Sequence, residues 1–115
     1  MYKMSYAEVM AASPHEARAR EREALDHAIA LMSAAEAKGA ASPETNEAVT
    51  YVQKLWTFFI ENLTDPGNGL STSLKRDLIS IGLWAIAESD RVLDDTSRGF
   101  GALISVNKTI RDGLA

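Results

Sequence analysis

After Pro14 no proline or glycine occurs until Gly39, and the run between them is rich in alanine. An uninterrupted stretch of that composition strongly favours one conformation, the α-helix. The breakers that do occur, three prolines and seven glycines in all, fall where helices would begin or end. Ser13-Pro14-His15-Glu16 reads as a helix start, with Ser13 as N-cap, Pro14 at the first position and Glu16 closing a capping box. Gly39 supplies the left-handed residue that ends that helix. Ser42-Pro43-Glu44 repeats the start signal, and the second helix runs to about Leu63 or Thr64. Asp65-Pro66-Gly67-Asn68-Gly69 breaks it as a surface loop. Ser71 or Ser73 caps a third helix from about Thr72 to Leu93. Asp94 to Gly99 reads as a turn, and a fourth helix covers about Phe100 to Arg111. No alternating strand pattern competes. The expected fold class is therefore all-α: one domain over residues 1–115, a small antiparallel four-helix bundle with a short N-terminal helix or arm.

At 100° per residue each helix shows an apolar stripe. The first presents Ala17, Ala24, Leu25, Ala28, Met32 and Ala35, small enough to let a neighbour approach closely. The second presents Val49, Val52, Trp56, Phe59, Ile60 and Leu63. The third has Leu74, Leu78, Ile81, Ala85 and Val92, and the fourth Phe100, Leu103, Asn107, Ile110 and Leu114. Trp56, Phe59, Leu78, Ile81, Leu103 and Ile110 are expected together in one core. Asn107 reads as a core amide satisfied by neighbouring backbone. Gly82, inside a strong helix, reads as a point of close helix packing, with a closely approaching partner as the alternative.

Several chemistries are excluded. The chain has no cysteine, so disulfides, thiolate metal sites and a cysteine nucleophile are out. His15 and His27 are about 18 Å apart along one helix, too far to share a metal. No Gly-x-Ser-x-Gly elbow or phosphate loop is present. The acidic clusters look structural: Glu16 with Arg20 and Arg22 with Asp26 can pair at four-residue spacing, and Glu88, Asp90, Asp94 and Asp95 read as a solvated helix end or an anion patch. We therefore expect no enzyme, no metal and no cofactor. Net charge −4 argues against a general nucleic-acid binder. No targeting signal and no membrane-length apolar run is found, which gives the expectation of a soluble cytoplasmic protein.

What stands out is surplus apolar surface. Tyr51, Leu55 and Phe58 lie off the main stripe of the second helix, and Ile79, Leu83 and Ile86 off that of the third. Either these two helices are central and covered on both flanks, or the six residues form a partner-binding groove. The N-terminal Tyr2, Tyr6, Val9 and Met10 recur at helical spacing, as a docking helix or an arm reserved for a partner.

The order of several segments is also distinctive: Tyr2 with Ser5-Tyr6-Ala7-Glu8-Val9, Arg20 to Asp26, Leu55-Trp56 with Phe59-Ile60, Asp77 to Trp84, and Ile110 to Leu114. Together they resemble the flagellar biosynthesis regulator FlaF family of alphaproteobacteria over the whole chain. The resemblance implies a non-enzymatic cytoplasmic protein supporting flagellin synthesis and secretion, with flagellin as protein partner and the flagellin-messenger regulator FlbT as a second. On that basis the leading expectation is a flagellin-binding export chaperone. The rival is a direct binder of flagellin messenger RNA, alone or with FlbT, using Lys75, Arg76, Lys108 and Arg111.

Overall fold

The four expected helices form, and their ends fall at the punctuating residues. The structure is a computed structural model and describes residues 14–39, 42–95 and 97–114. Helix α1 spans Pro14–Lys38, α2 Pro43–Thr64, α3 Thr72–Asp94 and α4 Gly101–Asp112, with no strand among the described residues. Gly39 takes φ +101°, so a side chain there would be strained, and its N–H returns to Ala35 O at 3.0 Å. Of the two serines competing to cap α3, Ser71 does so: its hydroxyl accepts from Leu74 N at 3.2 Å. Ser42 differs. It holds the N-cap backbone conformation of α2, yet its hydroxyl makes no cap bond. Asp65 and Asn68 shape the breaker loop by accepting from Gly67 N at 2.7 Å and Leu70 N at 3.0 Å. Ser13, proposed as the α1 cap, and the stripe Tyr2, Tyr6, Val9 and Met10 lie outside the described residues.

Cross-helix contacts show the antiparallel arrangement. Arg22 in the first half of α1 and Asp26 at its middle meet Leu114 O and Arg111 at the end of α4, while Glu36 near the end of α1 accepts from Phe100 N at the start of α4. Likewise Gln53 of α2 reaches Ser89 and Asp90 of α3, while Ile60, later in α2, meets Gly82, earlier in α3. The expected Arg22–Asp26 pair along α1 is thus replaced by contacts that tie α4 to α1. Helix α2 packs between α1 and α3, α4 packs on α1, and α3 and α4 touch only slightly.

The core collects Leu25, Ala28, Met32, Val49, Val52, Trp56, Ala85, Val92, Phe100 and Leu103. Asn107 is fully buried and satisfied as expected: its side-chain NH2 donates to Leu103 O at 2.7 Å, and its Oδ1 accepts from Trp56 Nε1 at 3.2 Å. Gly82 marks a close approach of α3 to α2. A Cβ there would stand 3.0 Å from Ile60 Cδ1 and Trp56 Cε3, so helix packing explains this glycine. The six-residue core expectation needs correction. Trp56 and Leu103 are buried, but Phe59, Leu78, Ile81 and Ile110 are only partly so, and Leu74 is exposed.

Helix length gives the reason. Helix α3 has 23 residues and α4 only 12, about 34 Å against 18 Å at 1.5 Å per residue. The α3–α4 connection fixes the start of α4 beside the end of α3. The first half of α3, carrying Leu74 and Leu78, is therefore left without a fourth helix beside it.

Candidate functional site

That shortfall opens a groove of about 370 Å³ at the end of the bundle where α1 begins, α2 ends, α3 begins and α4 ends. Trp56, Phe59 and Leu63 of α2, with Leu25 of α1, bring apolar surface from the core into it. Leu74 and Leu78 line it from α3, and Ile110 and Leu114 from the α4 side. Phe59 stacks edge-on against Trp56, ring centroids 5.3 Å apart, an arrangement that fixes both rings beneath the opening. Polar groups are few. Arg18 and Glu21 come from the first turns of α1, and Asn62 and Asn68 from the end of α2 and the loop. Burial raises the Glu21 carboxyl above its ordinary value, and the nearby Arg18 charge offsets part of that shift. An apolar trough with a thin polar rim suits the side chains of an amphipathic helix. It offers no nucleophile–base pair, and no group of three metal-ligating side chains occurs among the described residues.

The opposite end of the bundle is closed by polar contacts. Glu88 of α3 is buried and receives Arg98 Nε at 2.7 Å and Arg91 at 3.0 Å. The Arg98 hydrogen bond is foremost in holding the Glu88 carboxyl below its ordinary value. Glu36 accepts from Phe100 N at 3.1 Å, fastening α4 to α1. A smaller recess of about 170 Å³ remains there, between Ala35, Thr45, Val92 and Phe100. The acidic end of α3 is therefore partly engaged internally: besides Glu88, Asp90 accepts from Gln53 and Asp95 from Ser97.

The six residues singled out for a partner surface do not act as a set. Leu55 belongs to the core, at 8% exposure. Tyr51 and Ile86 are half-buried against that core, with Tyr51 meeting the His27 ring edge-on at 4.7 Å, and Ile79 is also half-buried. Phe58 and Leu83 are exposed, at 53% and 58%. None of the six lines the groove. The residues that do, Phe59, Leu78 and Ile110 among them, read as core in the sequence because their stripes are continuous with buried positions. The signal that identifies them is the half-length fourth helix. Of the cations proposed for RNA, Arg111 is engaged by Asp26 and Asp112.

No described helix is long and apolar enough to cross a membrane. No curated protein and no solved structure matches the chain. The sequence profile of the flagellar protein FlaF family matches residues 2–114. Its reach includes every helix that frames the groove, and on that match the chain belongs to the FlaF family.

Proposed function

We propose that this protein is a non-enzymatic cytoplasmic factor of flagellum biogenesis that binds flagellin and escorts it to export, so supporting its synthesis and secretion. The observation that carries the reading is the apolar groove at the open end of the bundle, in a chain of a flagellar family. In this reading the client is an apolar terminal segment of flagellin, shielded from polymerising before export. A short trough floored by Trp56 and Phe59 is suited to taking a few apolar side chains of such a segment. Its modest size and polar rim favour reversible capture, which a chaperone that hands over its client requires. A FlbT-type regulator is the second protein partner in this reading, and messenger-RNA control passes through it. The acidic balance of the chain supports that division, since direct RNA binding calls for a basic surface.

Titration of monomeric flagellin into the purified protein tests this. The expected result is a saturable complex that persists as salt is raised, because apolar burial carries it. Absence of a complex would overturn the proposal. A complex with flagellin messenger RNA that weakens steeply with salt would favour the RNA reading in its place.

A further inference from the structure

We infer that the groove has a resting occupant supplied by the chain itself, the N-terminal segment Tyr2–Met10, which a client must displace. This rests on the groove being the client site, as proposed above. The first argument is geometric. Helix α4 is eleven residues shorter than α3 (23 minus 12), leaving about 16 Å of α3 uncovered at 1.5 Å per residue. Tyr2 to Met10 is nine residues, about 13 Å as a helix, so it matches the missing half of the fourth helix.

Position agrees with length. The described chain begins at Pro14, and Arg18, four residues on, already lines the groove. The segment is therefore tethered about one helical turn from the rim. Pro14 opens α1, and proline biases the residue before it away from helix, so the sequence does not require the segment to continue the axis of α1. The spacing of Tyr2, Tyr6, Val9 and Met10 puts two aromatics and two aliphatics on one helical face, the chemistry that Phe59, Leu74, Leu78 and Ile110 would accept. The segment also carries Lys3 and Glu8, opposite in sign to Glu21 and Arg18 at the rim. The family match begins at residue 2 and so takes in the segment. Tethering supplies an effective concentration of about millimolar, enough for weak apolar contacts to fill the groove yet yield to a client.

The absence of cysteine allows a direct test on the full chain. A nitroxide on Ala7→Cys, off the apolar stripe, should broaden the methyl signals of Leu78 and Ile110 and spare Val92 at the closed end. Adding Tyr2→Ser and Tyr6→Ser should relieve that broadening and raise the fluorescence of an added anilinonaphthalene sulfonate by roughly threefold, the released groove being free for the dye. Broadening that never reaches Leu78 and Ile110, or that is the same with and without the two tyrosines, overturns the inference. Flagellin then separates it from the reading beneath. Flagellin that binds and abolishes the broadening supports both. Flagellin that binds and leaves it intact overturns displacement and places the client elsewhere, while failure of flagellin to bind at all overturns the chaperone reading alone.

Discussion

The two ends of the bundle use the same four helices and reach opposite outcomes. At the closed end a short connection sets the start of α4 beside the end of α3, Glu88 is clamped by Arg91 and Arg98, and Phe100 is buried at 2% exposure. At the open end no connection joins the start of α3 to the end of α4, and Leu74 stands 44% exposed. The apolar character of the stripes hardly changes from one end to the other; what changes is whether a helix is present to cover them. Among the described residues the closed end is therefore the more fully covered, and the other keeps an apolar opening.

Substitutions can break that contrast. The largest gap should separate Phe100→Ala from Leu74→Ala. Loss of a buried phenyl ring costs about 3–5 kcal/mol, whereas truncation at the exposed leucine should stay within about 0.5 kcal/mol. Urea denaturation of the two variants measures both, and equal costs would mean that the open end is as tightly packed as the closed one.

Glu88 gives a smaller effect with a pH signature. Its carboxyl is held below its ordinary value in the fold, foremost by Arg98. Its contribution is thus complete at neutral pH and lost as pH falls below about 4, through the lowered folded value. Both arginines are about half exposed (49% and 45%) and rehydrate when the partner is removed, so Glu88→Ala should cost about 1–2 kcal/mol, less than a fully buried pair. The variant should also flatten the acid limb of the stability profile. Gly82→Ala, at the α2–α3 contact, should lose about 1 kcal/mol by thermal melting, because crowding against Ile60 and Trp56 outweighs the gain in helix propensity.

The smallest effect has the opposite sign. Glu21 ionises reluctantly on the groove wall, since burial raises its carboxyl. The charged form is a liability at neutral pH that is relieved as pH falls through the raised value. Glu21→Gln should therefore stabilise the isolated protein by about 0.5 kcal/mol, visible as a small rise in melting temperature at pH 7 that vanishes in acid.

Much of this fold is legible in the sequence because helix ends are local events. Pro14, Gly39, Pro43 and the Asp65–Gly69 loop act through their own backbone, and the helices begin and end beside them. The fate of a stripe residue is not local. Phe59 and Trp56 are three residues apart on one face, yet Trp56 is buried and Phe59 half-open, because a distant helix ends too soon to cover both. Leu55 shows the converse, off the main stripe of α2 yet in the core because α2 lies between two neighbours. Glu88 reads in the sequence as part of a solvated acidic end or an anion patch, and its partner Arg98 lies ten residues away across a turn that periodicity does not resolve.

The central claim is that flagellin is held at the open end rather than on the exposed outer face of α2 and α3. Leu74 and Leu83 are both exposed residues of α3, but only Leu74 lines the groove. Leu74 also sits in the first turn of that helix, where a carboxylate is compatible with the dipole, so Leu74→Asp and Leu83→Asp should both fold. Calorimetric titration of each with monomeric flagellin should show Leu74→Asp weakened by about tenfold or more, as a charge is forced into an apolar interface, with Leu83→Asp close to wild type. Wild-type affinity in Leu74→Asp, with the loss falling on Leu83→Asp, would contradict the account.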